Sequence, residues 1–449
     1  MANRVGLRRE DKNEWERRVA LTPGDVAALT ANEVEVHVER FDRRAFPDDD
    51  YAAAGAALVD DVRSSEVVLG IKEIPPSWFR EGGAYMFFSH TIKGQPHNME
   101  MLRSLVEKRC TLLDYEIVTD DKGARLIFFG RHAGLAGMID TLWTLGRRLE
   151  VLGHSTALRD IQPAHTYADL AAAEAAVAAA GRRLAAEGVP ESLRPLVIGF
   201  AGYGNVSHGA RHIFDLVPHV EVDPGDLATF VEQNRDLADR LVKVVYREEH
   251  LVRHAEQGRP FDLQDYYANG GDYVSIFEPQ LELLSVLVNC IYWDERYPKL
   301  ADAGQLRALF AADALPRLTV VGDISCDVDG ALACTVRDTE PGDPVYVYDP
   351  LSGDAPSGFT GPGLAVMAVS NLPCELPREA SETFSTAVAP FIPALATADF
   401  SSTLERAGLP GPIERSVILW HGQFTPRYRY MSDYLRSGPA ATGDPQRSL

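Results

Sequence analysis

Short, unbroken apolar runs recur along the first third of the chain, at 34–38, 67–71, 84–88, 111–115 and 125–129, with helical stretches between them. Continuous rather than alternating apolarity predicts strands buried on both faces, so residues 1–132 read as one α/β domain with a parallel sheet. Residues 133–152 are apolar at helical spacing without proline and predict a long helix leaving that domain and bridging to the next. An alanine-rich helix over 168–188 follows, so 133–194 are expected to be connecting helices. The run 195–200 opens a second α/β domain over 195–374, with later strands at 287–291, 318–323 and 345–348. Within it, 226–273 turn polar and charged and read as an insertion rather than sheet. Residues 437–449, rich in Gly, Pro, Ser and Ala, read as a flexible tail. No solenoid-length repeat is present.

Composition narrows the class of partner. The 449 residues are 45% hydrophobic and 24% charged, as a globular chain of two or three domains is. A formal charge of −21 with no basic block excludes nucleic acid and anionic membrane as partners and leaves small molecules or other subunits. No apolar stretch approaches the ~20 residues of a membrane span, and the first residues lack a signal-peptide core. Five scattered cysteines offer neither a disulfide framework nor a paired zinc motif, which points to a reducing cytoplasm.

The second domain opens with a glycine turn. After the strand at 195–200, Gly202, Gly204 and Ser207 occupy the positions of a G-x-G-x-x-G/A turn, with Gly209 two residues beyond. Glycines there let backbone N–H groups and a helix N-terminus meet a pyrophosphate, as in Rossmann-like domains; an ordinary tight turn is the alternative. Asp223, about 20 residues on after an apolar run, stands where a ribose-binding carboxylate is expected. An acid there suits NAD, whereas Arg211, Arg235 or Arg247 would suit a 2′-phosphate.

The first domain carries the candidate chemistry. Lys72 follows one apolar strand and His90 the next, and in parallel sheets the carboxyl ends of strands line the ligand crevice. Forming and reducing an imine needs a base for the amine proton and an acid or base for the carbonyl oxygen. A lysine made less basic by burial near other cations, beside a histidine, supplies both. Glu73 and Glu116 are placed to tune the lysine; Arg18, Arg125 and Lys93 are placed to bind carboxylates. Taken singly, each of these also fits an ordinary salt-bridged strand end. No metal site is expected: His208 and His212 lack a third ligand, and the calcium-like segment from Ser325 has Val336 at its twelfth position.

Together these residues resemble a known family. The stretches 8–18, Phe87-Phe88-Ser89-His90-Thr91-Ile92-Lys93, Asp114-Tyr115-Glu116, 134–139, 202–207, 290–293, 323–327 and 371–380 look like the lysine-ketoglutarate reductase half of aminoadipic semialdehyde synthase. The similarity runs from about residue 4 to residue 435. That group sits with lysine-forming saccharopine dehydrogenases in the alanine dehydrogenase superfamily. The resemblance implies an α/β fold of two Rossmann-like, doubly wound parallel-sheet domains flanking a cleft, with residues 375–436 returning to the first domain. It implies condensation of L-lysine with 2-oxoglutarate and reduction to saccharopine by NADPH, NAD being the other donor. It assigns Lys72 as the amine base, His90 as acid/base, Glu73 and Glu116 as modulators, and Arg18, Lys93 and Arg125 as substrate-binding. Its cofactor set is Gly202, Tyr203, Gly204, Asn205, Val206, Asp223, Cys290, Ile291 and Ile324, with Asp327, Val369 and Leu372 on the nicotinamide side.

Two departures bear on function. Animal and plant relatives fuse a second, saccharopine-oxidising half, so this chain is expected to form saccharopine and leave its splitting to a separate glutamate-forming saccharopine dehydrogenase. Arg131-His132 stands where relatives often carry an aromatic, which leaves a related dehydrogenase for another amine or keto acid as the first alternative. A non-catalytic dinucleotide sensor is the second.

Overall fold

The computed structural model describes residues 4–312 and 316–436; the expected tail at 437–449 lies outside them. The chain divides into two compact units, Met1–Phe129 with Pro377–Leu449, and Gly130–Leu376. Among the described residues, no helix is long and apolar enough to cross a membrane.

The first unit contains β1 (Arg4–Leu7), β2 (Glu35–Glu39), β3 (Ala57–Val59), β4 (Val67–Leu69), β5 (Ala84–Phe87) and β6 (Thr111–Asp114). Late in the chain come Val417–Trp420 and Gln423–Phe424, β16 and β17 in chain order. They form one eight-stranded sheet, β17-β16-β6-β5-β4-β1-β2-β3, in which β1 to β6 are parallel. Its central strands β4 and β5 are apolar throughout, and in β5 alternate residues enter two cores: Ala84 and Met86 pack on one face, Tyr85 and Phe87 on the other. Residues 125–129 are not a strand. Leu126 and Phe128 are exposed, and the place beside β6 is taken by β16, running antiparallel. A short apolar run does not reveal which segment wins an edge, because the winner lies some 300 residues away.

The second unit contains β7 (Val197–Ala201), β8 (His219–Glu221), β9 (Leu241–Tyr246), the hairpin β10 (Val252–His254) and β11 (Tyr273–Ser275), then β12 (Val286–Asn289), β13 (Val320–Asp323), β14 (Val345–Tyr348) and β15 (Leu364–Met367). Seven of them form a sheet ordered β14-β15-β13-β12-β7-β9-β8, parallel except for β14. The expected insertion at 226–273 is thus corrected: β9 lies in the sheet, paired with β7 along its length. Lys243 hides that strand in the sequence. Its side chain is buried and its Nζ is held by Asp215 at 2.7 Å and Glu221 at 3.1 Å.

The expected bridging helix is corrected as well. Gly130–Val151 belongs to the second unit, with 16 of its 22 residues buried, and a helix apolar on every side is a core helix. It crosses the Asn205–Phe214 helix at glycines: a Cβ on Gly134 would stand 1.9 Å from the Val206 carbonyl oxygen, and one on Gly209 would stand 2.0 Å from that of Arg131. The packing glycine of the turn is therefore Gly209 and not its third position, where Ser207 is fully buried.

Candidate active site and dinucleotide turn

Parallel β4, β5 and β6 end side by side, so the segments that leave their tips bring Lys72 and Glu73, His90, and Glu116 to one end of the first unit's sheet. Two buried carboxylates pin these segments by their backbone. Glu10 accepts from the N–H of Ile71 (2.6 Å) and of Lys72 (3.0 Å), and Asp114 accepts from the N–H of Ser89 (3.0 Å) and of Glu116 (2.7 Å). Burial pushes Glu10 up to about 7 and Asp114 up to about 6.

Among the described residues, no carboxylate lies within ion-pair distance of Lys72 Nζ. Burial, reinforced by the Arg18 charge, lowers its pKa to about 8, against the opposing pull of Glu16 and Glu73. Arg18 is itself buried. It donates to Glu16 through Nε (2.8 Å) and Nη2 (2.6 Å), with its guanidinium 4.4 Å from the Phe129 ring centre.

His90 stands at φ 47°, a left-handed conformation that a side chain rarely adopts, and its carbonyl is held by Asn98 Nδ2 at 3.1 Å. Its Nδ1 lies 2.6 Å from Glu73 Oε1, while Glu73 Oε2 accepts from Lys12 Nζ at 2.7 Å. Burial alone would raise Glu73, but the His90 hydrogen bond and the Lys12 charge hold it well below the ordinary carboxylate range. An ionised Glu73 only accepts, so Nδ1 carries the hydrogen and Nε2 is the nitrogen left for a substrate.

The other candidates sit outside this cluster or at its rim. Glu116 faces Arg125 at 3.9 Å, and the acids that act on Lys72 are Glu16 and Glu73. Lys93 is exposed. Glu10 and Glu16 escape sequence reasoning because they lie in a charged stretch that resembles surface; only their fold context buries them, at 3% and 1% exposure.

In the second unit, Gly202 at φ +98° carries the chain past the tips of β7 and β12, and a Cβ there would press on Ile291 and the Cys290 carbonyl. Gly204 precedes the Asn205–Phe214 helix, whose first turn holds Asn205 and Val206, and a Cβ on it would meet nothing within 4 Å. An open space over a helix N-terminus, reached through a left-handed glycine, fits a pyrophosphate. Gly202, Tyr203, Gly204, Cys290 and Ile291 border one hollow of about 290 Å³ that Tyr266, Tyr267 and Tyr297 also line. Asp223 lies in a neighbouring hollow of about 470 Å³ with Tyr203, Arg211 and Arg247. Ile324, Asp327, Val369 and Leu372 follow β13 and β15, with Ile324 and Leu372 both against Gly137. His212 pairs with Glu174 at 2.7 Å, and among the described residues no group of three or more His, Cys, Asp and Glu is placed to hold a metal.

Residues 6–136 match the family described as alanine dehydrogenase/PNT, N-terminal domain. The α-aminoadipic semialdehyde synthase of Arabidopsis thaliana is 35% identical over 98% of this chain and 42% of its own length, so the chain spans less than half of that relative. The saccharopine dehydrogenase [NAD(+), L-lysine-forming] of Emericella nidulans is 27% identical over 87% of this chain and 91% of its own. A solved L-alanine dehydrogenase superposes with a TM-score of 0.61 at 18% identity, covering 96% of this chain and 99% of that one.

Proposed function

We propose that the chain is a member of the α-aminoadipic semialdehyde synthase group and an oxidoreductase joining L-lysine to 2-oxoglutarate and reducing the imine to saccharopine with NADPH. A glutamate-forming saccharopine dehydrogenase is the enzyme suited to take the product. The observation that carries the reading is Lys72, a buried amine lowered to about 8 with no carboxylate on its Nζ, on the strand tip next to that of a histidine oriented by Glu73.

In its neutral form Lys72 accepts a proton from the substrate ε-ammonium, and the freed amine attacks the keto carbon of 2-oxoglutarate. Lys72 returns its proton to the oxygen of the adduct, and His90 takes through Nε2 the proton that the nitrogen sheds and gives it to the carbinolamine hydroxyl as that departs as water, leaving the protonated imine. Glu73 steadies the imidazolium that forms between those two transfers. Substrate carboxylates are drawn to Arg125 and Lys93 at the rim, and Arg18, already forked to Glu16, offers its charge from below. Gly202, Gly204 and the first turn of the following helix would hold the dinucleotide, which when bound supplies the hydride.

The test is oxidation of NADPH followed by nicotinamide absorbance. Turnover is expected only with both L-lysine and 2-oxoglutarate present, and the product should have the mass of saccharopine. Oxidation that needs a different amine would instead make the chain a relative with other substrates. The base must be deprotonated to act, so kcat/KM is expected to climb with pH and level off above about 8. A profile flat between pH 6 and about 9 would remove Lys72 from that role.

A further inference from the structure

The expected ribose carboxylate was located by counting along the chain, but the sheet is not wound in chain order. In dinucleotide folds the ribose is read at the tip of the strand beside the glycine-turn strand. Here that neighbour is β9, not β8, and the residue after its last position is Arg247; Asp223 follows β8, one strand further out.

Arg247 lays its guanidinium 4.8 Å from the Tyr203 ring centre, and with Arg211 of the Asn205–Phe214 helix it borders the hollow of about 470 Å³. Both arginines lack an ion-pair partner among the described residues, and Arg211 Nε is buried with no hydrogen bond. The carboxylates in the same hollow are committed elsewhere: Glu221 to Lys243 at 3.1 Å, and Asp223 to the N–H of Gly225 at 2.9 Å. Two guanidinium groups without an ion pair, bordering one hollow in a chain of charge −21, offer a fork on each side of an incoming dianion.

We infer that Arg211 and Arg247 form a phosphomonoester site that takes the 2′-phosphate of the adenosine ribose, making these two residues the determinants of NADP over NAD. The inference rests on the dinucleotide reading of the glycine turn. Calorimetric titration of the intact chain in phosphate-free buffer, with adenosine 2′,5′-bisphosphate and separately with ADP, tests it without catalysis. The bisphosphate is expected to bind about tenfold or more tightly than ADP, and the double variant Arg211→Met, Arg247→Met is expected to erase that ratio while leaving ADP affinity within about twofold. Equal or tighter binding of ADP by the unaltered chain overturns the inference even if the variant fails to fold. Binding of neither ligand overturns the dinucleotide reading with it, whereas a tight bisphosphate without saccharopine formation leaves this site standing and rejects only the proposed substrates.

Discussion

Turnover of Lys72→Met is expected to fall by about 10²- to 10⁴-fold, the range lost with a general base, while affinity for the dinucleotide stays within about twofold. Methionine keeps the length and apolar stem of lysine, and Glu10 holds this segment through backbone N–H groups, so the substitution removes the amine without releasing the loop. The rise of kcat/KM toward pH 8 should vanish with it. Steady-state rates across pH, with dinucleotide binding followed by fluorescence, separate the possibilities. Turnover unchanged in the variant assigns proton removal to another group; dinucleotide affinity lost in parallel indicates damage to the fold.

A larger effect on stability is expected from Gly209→Val. Its Cβ would lie 2.0 Å from a backbone carbonyl oxygen of the Gly130–Val151 helix, and a main chain held in a helix cannot swing aside as a side chain can. The two helices must part, opening the core cluster they share around Leu135, Ala210 and Ile213, at a cost of about 3 kcal/mol or more. Gly204→Ala is the control. With nothing within 4 Å of the new methyl and φ at −75°, its melting temperature should match that of the parent, so only dinucleotide affinity is at risk. Thermal melts of the two variants decide it, and a Gly209→Val protein as stable as the parent would mean that the helices do not cross this closely.

What the sequence made legible follows from where each strand sits. β5 and β12 are buried on both faces and, Asn289 aside, carry only apolar residues, so their position was readable to within two residues. β9 is as central, yet one paired lysine broke its pattern, and its ionic partners lie on β8 and at the end of the Asn205–Phe214 helix, beyond any local window. In the site, Lys72, Glu73 and His90 were legible because each follows a strand tip. Glu10 and Glu16 were not, since nothing in a charged stretch such as Arg8-Arg9-Glu10-Asp11 shows which carboxylate turns inward. The strand, glycine turn and helix were legible in order, but which strand tip lies beside them depended on strand order in space, which chain spacing does not encode.

The antiparallel seat of β16 on β6 has a consequence for biosynthesis. Gly130–Leu376 is continuous and has every strand of its sheet once residue 376 has left the ribosome, whereas the first unit still lacks a border strand at that moment. Until residues 417–420 are made, the outer rim of β6 displays open N–H and C=O groups, an invitation to pair with another nascent chain. The unit made from the middle of the polypeptide is therefore expected to complete its sheet before the unit made from the two ends, and a chain cut ahead of residue 417 should be recovered as aggregate rather than as a smaller soluble protein.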